Sequence, residues 1–464
     1  MSLDLAIKNG TAYIDGVFRK CDIGIKDGKI AMLASSGSLP ESAREIGAEN
    51  KHVIPGGCDP HVHIRTPSND AREDFFSGTM SAAQGGCTTV FEHPISTPPP
   101  YTLEILENRK RLAGEDCVVD IALFGACGGE FPEEITKLPA GGIVAYKTFL
   151  HQAPEGRDKE FRGLTMSNDG EIFRGMQEVA KTGVVLAAHC ENNDMIATNI
   201  KRLRAEGRVG NVAHCESRPP ITETQSVEKM IRLAGEAGVV LDLVHLSAPE
   251  SVELAKKARY NGQKILIETC PHYLFLNEDT VVKFGPFAKC NPPLRKQSDV
   301  DRLWKYINDG TIDFIGSDHG PFLLSEKEMG YEDIFKSYAG FPGVDMRLPL
   351  MVDAAQRGLL SLERAIDLCC VNPAKCFDLF PQKGALSVGS DADVVIMDLG
   401  AKTKVDKSKS YSKARETARV YDGWELACRL EYTIVRGRVI VDKGIADESS
   451  RGWGKVVAPV RRVK

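Results

Sequence analysis

Residues 55–63 read Pro55-Gly56-Gly57-Cys58-Asp59-Pro60-His61-Val62-His63. The stretch comes directly after a short apolar run, Val53-Ile54. In extended backbone, residues two apart point to the same side. His61 and His63 therefore present their rings together, as a pair able to reach one metal ion. Whether this pair belongs to a larger site depends on the residues that close the other short strands of the chain.

Short β-rich runs recur at Thr88–Phe91, Val118–Leu123, Ile143–Phe149, Val184–Ala188, Val239–Val244, Ile265–Ile267 and Ile312–Ile315, and with Val53-Ile54 they make eight. Amphipathic stretches such as Thr224–Ala237, Ala248–Tyr260 and Asp299–Asn308 lie between them. Eight strand–helix alternations predict an α/β chain closed into a (β/α)8 TIM barrel. No Gly-rich phosphate loop comes after the first run, which counts against an open doubly wound sheet. Lys147 falls near the end of the fourth run, His189 after the fifth, His245 after the sixth and Asp318 after the eighth. Barrel enzymes keep their sites at these C-terminal strand ends. Taken singly, each histidine reads as a core residue, Asp318 as a helix cap and Lys147 as a buried amine. Taken together, in one order at one end of five strands, they point to a metal-dependent site.

Both termini have a different texture. Leu5–Ile7, Ala12–Ile14 and Ile23–Ile25 are short runs punctuated by Asn9-Gly10, Asp15-Gly16 and Asp27-Gly28, dipeptides that favour turns. Val394–Met397 and Thr433–Val441, the latter around Arg436-Gly437-Arg438, repeat the pattern late in the chain. The expectation is a small β-sandwich domain built from residues 1–54 and 383–464, with the barrel, 55–382, inserted between them.

Composition narrows the function. The 464 residues accommodate a barrel of roughly 250 and a smaller module. A net charge of −5 argues against nucleic acid as a partner. The basic residues from Arg451 to Lys464 read as a solvated tail. No stretch is apolar and long enough to cross a membrane, and Met1–Ala6 opens no signal peptide. The 13 cysteines include no CxxC pair, and Cys369 and Cys370 sit in an apolar run. A reduced, cytoplasmic protein is expected.

Four stretches together carry a family resemblance: Pro55–His63, Glu268-Thr269-Cys270-Pro271-His272-Tyr273, Asn291-Pro292-Pro293-Leu294-Arg295 and Gly316-Ser317-Asp318-His319-Gly320-Pro321. With Gly389-Ser390-Asp391-Ala392-Asp393 near the C-terminus, they make the chain resemble the amidohydrolase superfamily, in particular the cyclic amidohydrolases: allantoinase, dihydroorotase and hydantoinase/dihydropyrimidinase. The resemblance implies two divalent metal ions per subunit, usually zinc. His61 and His63 would hold the more buried ion and His189 and His245 the more exposed one. Lys147 would bridge both as a carbamate formed with CO2. Asp318 would bind the buried ion and act as the catalytic base. The implied reaction is hydrolytic opening of a small cyclic amide by a hydroxide bridging the metals. A homodimer or homotetramer is also implied, with the polar segment Lys402–Arg429 a candidate contact.

The substrate signals are mixed. Arg65 stands where dihydroorotases place a carboxylate-binding arginine, but their accompanying asparagine is replaced by Ile95 within Glu92-His93-Pro94-Ile95-Ser96. Arg65 reads equally as a salt-bridged arginine. No tyrosine comes after Lys147, as it does in hydantoinases, and His151 is the substitute donor. Pro94-Ile95-Ser96-Thr97-Pro98-Pro99 and Ala288–Pro293 resemble allantoinases, so allantoin to allantoate is the first expectation. Hydantoins, dihydropyrimidines, dihydroorotate and cyclic imides are the alternatives. His93, Asn291 and His319 complete the candidate substrate contacts, with main chain around Pro342-Gly343-Val344. A non-catalytic scaffold resembling dihydropyrimidinase is the reading of another class. It expects substitutions among the six ligand positions, and none is substituted.

Overall fold

The computed structural model describes residues 2–460; Met1 and the last four residues of the basic stretch lie outside the described residues. Eight parallel strands form the barrel: Gly57–Val62, Cys87–Glu92, Asp120–Ala126, Ala145–Phe149, Val185–His189, Leu241–Leu243, Ile265–Thr269 and Phe314–Ile315, each hydrogen-bonded to the next. The last strand returns to the first through a bridge between Val62 and His319. Asp59 fastens this seam, accepting from Ser317 N at 3.0 Å and His61 N at 3.2 Å. Gly316 permits it: a Cβ there would lie 2.5 Å from Glu268 Oε1 and 2.8 Å from His61 Cβ.

The first strand differs from the sequence expectation. Val53-Ile54 lies in the strand His52–Pro55, which pairs with Val394–Asp398 in the terminal sheet. The barrel strand is the next segment, Gly57–Val62. Its glycine, aspartate, proline and histidine hide it from an apolar-run reading.

The barrel interior is filled rather than open. Cys58, Phe91, Ala122, Phe124, Ala187 and Phe314 pack together, and Phe377 stands 5.3 Å from Phe91 and 5.6 Å from Phe314, ring centre to ring centre. Helices Asp169–Thr182, Pro220–Ala237, Pro249–Tyr260 and Gln297–Asn308 cover the outside, three of them near the amphipathic segments read from sequence.

Strands from both termini make one nine-stranded sheet around a second core that includes Ile7, Ile23, Ile25, Val53, Val394 and Ile434. Asp15-Gly16, Asp27-Gly28 and Arg436-Gly437 all have positive φ and close two-residue hairpins, as I′ turns require. Asn9-Gly10 is different. Leu3–Ile14 is one strand with a bulge between Ile7 and Gly10, Asn9 taking φ 64°. A Cβ at residue 10 would meet Val53 Cγ2 at 2.5 Å, so the bulge brings bare backbone against the neighbouring strand.

The C-terminal boundary is not a clean one. Val456–Val457 pairs with the third barrel strand, so the chain leaves the terminal sheet and returns to the barrel. Buried Lys383 joins the two units by pairing with Asp120 of that strand and with Asp391 and Asp393. The segment 402–429, expected to lie on the surface, buries Ser410, Ser412, Ala414 and Thr417. All 13 cysteines are unpaired, and 12 are buried. Among the described residues no helix is long and apolar enough to cross a membrane.

Candidate active site

The C-terminal strand ends gather the residues singled out by sequence. His61 and His63 leave the first strand on one side. Both face Asp318, with Asp318 Oδ1 at 3.4 Å from His61 Nε2 and 3.3 Å from His63 Nε2. The ligand atoms of these three residues lie within 4.8 Å of one another. His189 Nδ1 and His245 Nε2 form a second pair at 3.0 Å. The rings of His61 and His245 are 5.2 Å apart, which places the two pairs side by side. His245 and Asp318 both adopt left-handed backbone, φ 43° and 48°. Such strain in non-glycine residues persists where the surrounding structure over-determines it.

Carboxylates behind the rings set their tautomers. His61 Nδ1 donates to Glu268 Oε1 at 2.9 Å, leaving the Nε2 lone pair turned toward Asp318 and without a hydrogen-bond partner. His189 Nε2 donates to Glu191 Oε2 at 2.9 Å, leaving the Nδ1 lone pair to face His245 Nε2. This is how ligating histidines are oriented. Glu191 is in turn held by Arg218 at 2.5 Å. Burial pushes the Glu191 carboxyl up, but Arg218 and His189 outweigh it and keep it well below the usual range.

Lys147 is fully buried and its amine makes no hydrogen bond among the described residues. Burial lowers its pKa from 10.5 to about 8, against the pull of Glu268, Asp318 and Asp242. The amine is close enough to act electrostatically on His61, His63, His245 and Asp318. Burial raises Asp242 to about 7, with Asp313 adding to it and Lys147 opposing it, and burial together with the Asp242 charge raises Glu268 well above its ordinary value. Burial would raise Asp318 as well, but the His63 hydrogen bond and neighbouring cationic groups hold it below the usual carboxylate value. Burial above all pushes His63 down to about 4 and holds His61 well below its ordinary value.

The residues fit divalent ions. Ligands 2.0–2.1 Å from a tetrahedral ion stand about 3.3 Å apart. The His61–Asp318 and His63–Asp318 separations match that spacing, and His61 Nε2 is a buried acceptor that no donor among the described residues satisfies.

Outward from this cluster opens a cavity of ≈ 690 Å³. Arg65, His151 and Asn291 line it, as expected of substrate contacts. Arg65 is distinctive. The buried arginines Arg72, Arg109, Arg157, Arg295 and Arg347 each pair with a carboxylate. Arg65 pairs with none among the described residues; its Nε and Nη1 lack partners, and it stacks 4.9 Å over Phe322. Asn291 Oδ1 is likewise unpartnered. His151 has its Nδ1 2.6 Å from the Gln152 carbonyl, and its ring lies 5.6 Å from that of His189.

His93 and His319 are placed elsewhere. His93 stacks beneath His61 at 3.7 Å, donates to the Pro60 carbonyl at 2.9 Å and is fully buried off the cavity. His319 points away from the cavity toward Glu73, and its Nδ1 accepts from Gly343 N. The main chain at Gly343 thus serves His319 rather than the cavity wall. Sequence reading missed Glu191, Glu268 and Asp242. Their signal was a carboxylate inside, or two residues beyond, an apolar strand.

A (β/α)8 barrel with a His/His/Asp cluster of metal-ligating geometry at its C-terminal mouth is the architecture of metal-site barrel enzymes. The chain belongs to the amidohydrolase family, which residues 52–440 match. It is 37% identical over 444 residues to an L-hydantoinase of Paenarthrobacter aurescens, covering 95% of each chain. It is 34% identical to an allantoinase of Deinococcus radiodurans, covering 97% of this chain and 98% of the other. Among solved structures, an L-hydantoinase (dihydropyrimidinase) from Arthrobacter aurescens superposes with a TM-score of 0.93 at 36% identity, over 98% of this chain and 100% of that one.

Proposed function

We propose that this protein opens a hydantoin-type cyclic amide ring by hydrolysis, with two divalent ions, zinc in the first instance, held by His61, His63, Lys147, His189, His245 and Asp318. The observation that carries this reading is the buried Lys147 amine, without a hydrogen bond, beside two pairs of ligand atoms. An ammonium cannot ligate a cation, whereas a carbamate presents two anionic oxygens. The neutral amine attacks CO2, forming an N–C bond and releasing one proton. At pH 7 a pKa of about 8 leaves roughly 10% of the amine neutral, some 300 times more than an exposed lysine would have. Bound ions would activate a water and polarise the ring carbonyl. Asp318, held ionised, takes the proton from the attacking water and returns it to the departing ring nitrogen. The product is an open-chain N-carbamoyl acid. Six intact ligand positions also speak against a scaffold role.

Allantoin, a hydantoin ring bearing a ureido group, is the first substrate. Its carbonyls and N–H groups suit the unpartnered donors of Arg65 and the unpartnered Asn291 Oδ1, which an apolar substituent would leave buried and unsatisfied. A second reading, a hydantoin with an aromatic substituent, is favoured by the apolar wall of Ile95, Phe149 and Phe161. The test is to incubate metal-loaded protein, in bicarbonate buffer, with allantoin, hydantoin and 5-benzylhydantoin and quantify the ring-opened acids. Highest kcat/KM on allantoin supports the first reading, and highest on benzylhydantoin the second. No opening of any ring by protein holding two metals per chain would refute both.

A further inference from the structure

His319 is adjacent to the catalytic aspartate in sequence and is completely buried, yet it does not line the cavity. Both of its ring nitrogens are occupied. Nδ1 faces two backbone donors, Gly343 N at 3.2 Å and Val344 N at 3.4 Å, so it carries the lone pair. The proton is therefore on Nε2, which donates to Glu73 Oε2 at 3.3 Å. The backbone on either side is tied as well. His319 N donates to Ser317 Oγ at 3.2 Å, and His319 O accepts from His63 N at 3.1 Å. The residue clamped between these points is Asp318, in left-handed backbone at φ 48°.

Both grips on the His319 ring lead to the same distant segment. Glu73 accepts from Ser412 Oγ and from Lys413 N, the latter at 3.2 Å. Asp345, next in the chain after Gly343 and Val344, accepts from Ser410 Oγ at 2.7 Å. Ser410 also lies 3.2 Å from Ser81 Oγ on the first barrel helix, Phe75–Gln84. Ser412 is fully buried and Ser410 nearly so, inside a stretch whose composition is that of a surface loop.

We propose that the segment Ser410–Lys413 is a brace that positions Asp318, through Glu73 and Asp345 acting on the two sides of the His319 ring. His319, Glu73 and Ser412 are positioning residues and touch no substrate. The brace explains how a strained aspartate is held in one orientation between His61 and His63. It also gives the C-terminal region, remote from the cavity in sequence, a part in the chemistry. The inference rests on the proposed hydrolytic activity, because it is through Asp318 that the brace acts.

A misplaced catalytic group loses rate without losing affinity, by up to about a hundredfold for an ångström. The experiment compares wild type, Ser412→Ala and Glu73→Gln, all metal-loaded, measuring kcat, KM and metal content on whichever of allantoin, hydantoin and 5-benzylhydantoin is opened fastest. Ser412→Ala, assayed at saturating zinc so that the weaker hold of a shifted Asp318 does not empty the site, is expected to lower kcat roughly tenfold, with KM within twofold and two metals per chain retained. Glu73→Gln, which keeps the shape but turns one of the two acceptor oxygens into a donor NH2, is expected to do at least as much. A general structural role would move KM, metal content and kcat together, and that result overturns the proposal. So does an unchanged kcat in Ser412→Ala, a mild change that stays informative even if Glu73→Gln does not fold. A wild type without turnover would sink the hydrolytic reading itself and the brace with it, whereas an active wild type with an unaffected Ser412→Ala sinks the brace alone.

Discussion

Lys147→Met keeps the length of the side chain and removes the amine. The cost of that amine can be worked from its surroundings. Burial takes its pKa from 10.5 to about 8, which at about 1.4 kcal/mol per pH unit corresponds to about 3 kcal/mol. The folded pKa is the lower one, so between about pH 8 and 10.5 the unfolded chain binds more protons than the folded chain. Stability therefore rises with pH through that window. Below about pH 8 both states are charged and the full penalty applies; above about 10.5 neither is charged and it vanishes. Metal-free, bicarbonate-free Lys147→Met should thus be up to about 3 kcal/mol more stable than the parent at pH 7, with the gap mostly closed by pH 10. Urea unfolding at the two pH values reads both numbers. Metal-loaded Lys147→Met should at the same time lose at least about a hundredfold in turnover, since no carbamate can form. A variant no more stable than the parent at pH 7, or a gap that does not narrow at pH 10, would refute the uncompensated buried amine. Retained turnover would refute the bridging role.

Three further outcomes are expected. Glu268→Gln weakens the hydrogen bond that orients His61 and should lower metal affinity by about 10–100-fold in a metal-buffer titration; unchanged affinity would mean that Glu268 does not orient a ligand. Arg65→Met removes the unpaired donors of the cavity wall and should reduce kcat/KM on allantoin by roughly tenfold or more while shifting preference toward 5-benzylhydantoin. An unchanged ratio between the two substrates would take Arg65 out of the binding site. Lys383→Met leaves Asp120, Asp391 and Asp393 without their shared buried cation and should cost about 3–5 kcal/mol in urea unfolding. A loss under about 1 kcal/mol would show that the barrel and the terminal sheet are not coupled through this contact.

The six candidate ligand positions could be singled out in the sequence because they obey position rules that need no tertiary knowledge. A residue that closes a parallel barrel strand points into the mouth, and period-two spacing pairs His61 with His63. Strand identity was harder where burial is achieved with polar residues. Gly57–Val62 is wholly buried yet carries Asp59 and His61, so the apolar run next to it took its place in the count. Asn9-Gly10 looked like a turn because a left-handed asparagine serves a bulge as well as it serves a hairpin. The direction of a buried ring was not legible at all. His93 and His319 sit beside functional residues in sequence, but their partners, Pro60 and Glu73, lie 33 and 246 residues away. The same separation hid Ser412, whose contact with Glu73 spans 339 residues. Glu191 and Glu268 were within reach, since a carboxylate two residues from a ligand, or at the end of a buried strand, has to find a partner.

The proposed ring opening depends on two metal ions held at the strand ends. The most direct measurement is a titration of metal-free protein with zinc in bicarbonate buffer, monitoring the opening of allantoin or of whichever hydantoin is turned over. The expected result is no activity without metal, a rise that saturates near two ions per chain, and loss of the rise in Lys147→Met. Ring opening by the metal-free protein, or activity that takes no account of added metal, would contradict it.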